Sequence, residues 1–147
     1  MGASLRVLIV EDSEDDTMLL VRQLKQGGYD PMYDRVESPP ELIAALEREP
    51  WDIVVSDYSM PRFSGLDALK IVKRNRPMMP FIIVSGTIGE DTAVAAMRAG
   101  AQDYIMKSNL KRLAPAVESM ASLESLPGDF RDAFFGALDY AVTGRKL

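Results

Sequence analysis

The chain has 147 residues, 47% apolar and 27% charged, the balance of one ordinary globular domain. Its 22 acidic and 17 basic residues leave a net charge of −5, which argues against direct nucleic-acid binding by charge. With no cysteine and no histidine, disulfides, thiolate or imidazole metal sites, Ser-His catalysis and a phosphohistidine on this chain are excluded.

No apolar run approaches the ~20 residues that cross a bilayer, so no membrane insertion is expected. The start, Met1 to Arg6, lacks the basic and apolar regions of a signal peptide. A cytoplasmic location suits both observations and the lack of cysteine.

Leu5 to Val10 is an apolar run without alternation, which reads as a strand covered on both faces. Glu11, Asp12 and Ser13 sit where it ends. Helical spacing follows at Met18, Leu19, Val21, Arg22 and Leu24. Glu14, Asp15 and Asp16 suit the positive end of that helix, and Gly27-Gly28 stops it. Met32 to Val36 is a weaker, polar strand expected at a sheet edge. Ser38 and two prolines open a second helix with an apolar stripe at Leu42, Ile43, Ala45 and Leu46, closed by Pro50.

Ile53-Val54-Val55 is another buried strand, with Asp57 directly beyond it. Met60-Pro61 and Ser64-Gly65 mark the loop before a helix running from about Ser64 to Asn75, with Leu66, Leu69, Ile71 and Val72 as its apolar positions. Phe81 to Val84 is a further buried strand, ended by Ser85-Gly86-Thr87. Thr92 to Ala99 reads as a helix with Gly100 at its C′ position. Asp103 to Met106 is a short strand ending in Lys107. Pro115 falls too soon after Asn109 for an uninterrupted helix, so a turn is expected first and the regular helix from Pro115.

Strands alternating with helices argue for a doubly wound α/β fold: five parallel strands, right-handed crossovers and helices on both faces. Parallel strands bring their carboxyl ends to one edge, where open α/β sheets bind ligands. Glu11-Asp12, Asp57, Ser85 and Lys107 therefore converge from four strand ends. Each alone reads equally well as a cap, a turn or a surface residue. Their joint position is the stronger signal. Carboxylates gathered without histidine or cysteine make a hard-oxygen site suited to Mg²⁺. A cation, a lysine and a hydroxyl around one carboxylate would stabilise a phosphoryl group that this carboxylate attacks.

The motifs Val-Glu-Asp-Ser, Ser-Asp-Tyr-Ser-Met-Pro, Ile-Val-Ser-Gly and Gly-Ala-x-Asp-Tyr-x-x-Lys occur in that order. Together they resemble the response-regulator receiver domain of two-component signalling, over Leu5 to Glu118. The resemblance implies a flavodoxin-like strand order of 2-1-3-4-5. By position it implies Asp57 as phosphoacceptor, Asp12 as a direct Mg²⁺ ligand, Glu11 as a ligand through water and the Ser59 carbonyl as a further direct ligand. Lys107 would pair with the phosphoryl group, Ser85 would be the switch hydroxyl, and Tyr104 the aromatic that turns inward. By the same resemblance, Ser59 and Thr87 would occupy positions that tune dephosphorylation.

The implied function is a phosphorylation-dependent switch, a phosphoacceptor rather than an enzyme on separate substrates. Its partners would be a sensor histidine kinase or histidine phosphotransfer protein and a downstream protein. The alternative is an interaction module on the same fold that does not use the phosphate. A nucleotide or flavin binder lacks its glycine-rich loop after the first strand.

Ser108 departs from the family, which often has a cis proline there. A cis bond to a non-proline costs about 2.5–4 kcal/mol, which argues against that geometry. The expected organisation is a receiver over residues 4–122 and a tail over 123–147. The tail places Phe130, Phe134, Leu138 and Val142 at i, i+4 spacing, an amphipathic helix expected to dock on its own domain. It is too short for a DNA-binding or second-messenger synthase domain, so the expectation is a lone receiver or a fragment.

Overall fold

A computed structural model of the chain describes residues 2–86 and 89–124. The expected tail helix and Thr87 lie outside the described residues. The chain alternates strand and helix: β1 (Ala3–Val10), α1 (Glu14–Gln26), β2 (Tyr29–Val36), α2 (Pro39–Arg48), β3 (Ile53–Asp57), α3 (Gly65–Asn75), β4 (Phe81–Ser85), α4 (Glu90–Arg98) and β5 (Asp103–Met106). A 3-10 turn (Lys107–Arg112) then leads into α5 (Leu113–Glu124). All strand pairs are parallel, in the order β2-β1-β3-β4-β5. The chain winds outward from β1 in both directions, so the topological switch point lies between β1 and β3. Among the described residues no helix is long and apolar enough to cross a membrane.

The period-2 alternation of the strands splits the core into two layers. Val7, Ile9, Ile53, Val55, Ile82, Val84 and Ile105 face α1 and α5, meeting Leu20, Leu24, Leu113 and Val117. Leu8, Val10, Val54, Phe81 and Ile83 face the other way, against Leu42, Leu46, Leu69, Val72 and Ala96. Tyr104 packs against this second layer. β3 and β4 are buried along their whole length, as unbroken apolar runs require.

Local chemistry explains most boundaries. Ser13, Ser38 and Ser64 each accept a backbone N–H of the first turn they cap. Gly100, at C′ of α4, has φ +111°, a left-handed conformation that suits glycine. α4 itself starts at Glu90, ahead of the expected Thr92.

Other expectations need correction. The buried stripe of α1 is Thr17, Leu20, Val21 and Leu24, whereas Met18 and Leu19 are exposed. Thr17 tolerates burial because its hydroxyl donates to the Ser13 carbonyl at 2.9 Å. Ile43 of α2 is likewise exposed, while Leu42, Ala45 and Leu46 are buried. β2 begins at Tyr29 rather than Met32 and takes in Pro31, opposite Leu5. An edge strand leaves one side unpaired, so the missing proline N–H is tolerated there. Finally, α5 starts at Leu113, which puts Pro115 in its first turn, where backbone N–H groups have no helical acceptor.

Candidate functional site

Glu11 and Asp12 follow β1, Asp57 and Ser85 close β3 and β4, and Lys107 follows β5. All four strand ends fall on the carboxyl edge, and the acidic ones flank the switch point. Their backbone is fixed by bonds that prolong the sheet. The Glu11 N–H donates to the Val36 carbonyl at 3.0 Å, and the Tyr58 N–H to the Val84 carbonyl at 2.9 Å. The Gly65 N–H bonds the Tyr58 carbonyl at 2.7 Å, pulling the start of α3 against the end of β3. A Cβ on Gly65 would stand 2.7 Å from the Asp57 carbonyl oxygen, so only glycine permits this approach.

Beyond the strand ends, the acidic side chains meet at this edge. One carboxylate oxygen from each of Glu11, Asp12 and Asp57 lies within 4.8 Å of the others. Lys107 Nζ stands 3.4 Å from Asp57 Oδ1, 3.3 Å from Glu11 Oε2 and 2.8 Å from Asp16 Oδ2. Glu11 and Asp57 are buried, while Asp12 is exposed.

This crowding shows in the protonation equilibria. Burial, with the neighbouring Asp57 and Asp12, lifts the Glu11 carboxyl to about 7, although the Ser13 N–H and Lys107 pull the other way. Burial also raises the Asp57 carboxyl, against the opposing pull of Lys107. Burial disfavours the charged form of Lys107, but Asp16, Glu11 and Asp57 more than reverse this and raise its pKa.

The remaining expected residues are arranged around this cluster. Ser85 is buried at the end of β4. Tyr104 pairs in register with Ile83, so it shares a sheet face with Ser85 two residues further on. Ser59, exposed, lies two residues past Asp57 and forms an isolated bridge with Ser64. No described peptide bond is cis, that of Lys107 to Ser108 included.

Two contacts escaped the sequence. Asp16 reads as a charge at a helix start, yet its carboxylate makes the shortest contact to Lys107. Arg35 Nη1 donates to the Glu11 carbonyl at 3.2 Å and to Glu37 at 2.8 Å, holding the turn after β1 against β2. A lone arginine on a polar edge strand carries no sequence signal for that task.

Glu11, Asp12 and Asp57 fit a divalent cation on their own chemistry. They are hard oxygen donors at close range, two of them buried, and burial with the neighbouring carboxylates raises the Glu11 and Asp57 carboxyls, a cost that a bound cation would offset.

A family model described as the response regulator receiver domain matches residues 7–118. The response regulator protein FleR of Pseudomonas aeruginosa is 32% identical over 127 residues, covering 86% of this chain and 26% of that protein. The DNA-binding transcriptional regulator NtrC of Salmonella typhimurium is 36% identical over 101 residues, 69% of this chain and 21% of that protein. The chain thus spans about a quarter or less of the length of these relatives. Among solved structures, a response regulator receiver domain protein from Clostridium thermocellum superposes with a TM-score of 0.68 at 28% identity, covering 78% of this chain and 92% of that one.

Proposed function

The chain belongs to the response regulator receiver domain family of two-component signalling, and from that membership we propose that it is a switch charged by phosphoryl transfer onto Asp57. The observation that carries this reading is the buried Asp57 carboxylate at the switch point, 3.4 Å from the Lys107 ammonium and within 4.8 Å of Glu11 and Asp12 oxygens.

The donor would be a phosphohistidine on a sensor histidine kinase or a histidine phosphotransfer protein. An Asp57 carboxylate oxygen attacks phosphorus, the O–P bond forms as the P–N bond breaks, and the departing imidazole takes up a proton. Burial leaves the Asp57 nucleophile poorly hydrated, and Lys107 neutralises charge gathering on the phosphoryl oxygens. The Ser85 hydroxyl, from the neighbouring strand end, donates to one of those oxygens. Asp12, Asp57 and the Ser59 carbonyl would hold Mg²⁺ directly, with Glu11 acting through water. When bound, the ion supplies positive charge against the transferring group.

The shared face of Ser85 and Tyr104 supports a switch between them. Drawing Ser85 towards the phosphoryl group opens room on that face for the ring of Tyr104 to turn inward, altering the surface offered to a downstream protein. Intact-mass measurement after incubation with Mg²⁺ and acetyl phosphate tests the assignment. One phosphoryl adduct is expected, dependent on Mg²⁺ and lost in Asp57→Asn, because an amide is not this nucleophile. Unchanged labelling of that variant would overturn it.

A further inference from the structure

The pattern Ser-x-x-Asp occurs at the start of both α1 and α3, but it is used differently. In α3 the loop is closed: Ser64 accepts the Asp67 N–H, and the Asp67 carboxylate accepts the Ser64 N–H at 3.1 Å, a capping box. In α1 Ser13 likewise accepts the Asp16 N–H at 3.1 Å. The Ser13 N–H, however, is taken by Glu11 Oε1 at 3.1 Å. That substitution releases the Asp16 carboxylate from capping, and it reaches across to Lys107 at 2.8 Å.

An ammonium has three N–H donors, and Asp16, Glu11 and Asp57 already surround this one. A phosphoryl group on Asp57 adds anionic oxygens that need the same donors. Asp57 carries the new group and Glu11 faces the cation site, so Asp16 is the rival acceptor, with Lys107 its only ion-pair partner among the described residues. We propose that Asp16 is a positioning residue that holds Lys107 in reserve and competes with the phosphoryl group for it, thereby setting how firmly the charged state is held. The partly exposed position of Asp16 lets its carboxylate give up the contact to water at modest cost, which suits a competitor rather than a permanent partner.

The inference rests on the reading of Asp57 as phosphoacceptor, and one titration separates the two. Fluoroberyllate, a non-covalent phosphoryl mimic, is titrated calorimetrically into the full chain at saturating Mg²⁺. The wild type should bind it and Asp57→Asn should not. Asp16→Asn should bind about tenfold more tightly, a change of about 1.4 kcal/mol, and Asp16→Glu should return towards the wild type. Structural damage would weaken binding, so tightening is a signature of released competition. Failure of the wild type to bind would overturn the phosphoacceptor reading and this inference with it. A binding wild type with Asp16→Asn equal or weaker would overturn the inference alone.

Discussion

Glu11 makes the metal-free protein sensitive to pH in a direction opposite to ordinary acid denaturation. Its carboxyl is lifted from 4.5 to about 7, first by burial and then by Asp57 and Asp12. Between those values the folded state keeps a proton that the unfolded chain releases, so stability falls as pH rises through the window. At ~1.4 kcal/mol for each pH unit across that window, the deficit above pH 7 is about 3 kcal/mol. Asp57, also raised, acts in the same direction. Lys107, raised above its ordinary value, contributes a constant amount across this range. Glu11→Gln removes the titration while keeping an oxygen to accept the Ser13 N–H. Urea or thermal denaturation in EDTA should therefore find the variant close to wild type near pH 4.5 and more stable at pH 8, by up to about 3 kcal/mol, a midpoint rise on the order of 10 °C. Mg²⁺ should narrow the gap by stabilising the wild type at high pH. Parallel pH profiles for the two proteins in EDTA would refute the reasoning.

Gly65→Ala should cost about 1–3 kcal/mol in urea denaturation, because the new Cβ would press on the Asp57 carbonyl at 2.7 Å. Unchanged stability would mean that α3 can shift freely. Asp12→Ala should weaken Mg²⁺ on the order of tenfold or more, while Ser85→Ala and Tyr104→Ala leave it nearly intact. Equal losses in all three, by calorimetry, would contradict the separation of cation holding from switching.

The carboxyl edge was legible because short, β-branched runs such as Ile53-Val54-Val55, bounded by turn signals, suit buried strands better than helices, and parallel pairing forces their ends together. The apolar face of α1 was not, because its rotation is set by packing on the sheet and α5. A threonine that satisfies its own hydroxyl fits that interior as well as a methionine would. Ile43 fails for a related reason, since α2 meets the sheet along a stripe too narrow to bury every apolar residue. The Asp16 contact was hidden by ambiguity: Ser-x-x-Asp spells a capping box whether or not the box closes. What opens it in α1 is Glu11, a residue from the preceding strand end, and that dependence is tertiary.

The two-layer core has a consequence for traffic on the molecule. By strand alternation Asp57 falls in line with Ile53 and Val55, which face α1 and α5, whereas Ser85 falls in line with Ile83 and Tyr104 on the opposite face. Both faces are sealed by their own apolar cluster, so the sheet is a wall and its carboxyl edge the doorway. A donor protein seated over the start of α1 and a reader seated over Tyr104 would occupy different sides of that wall. On the proposed reading, loading and reading then need not exclude one another.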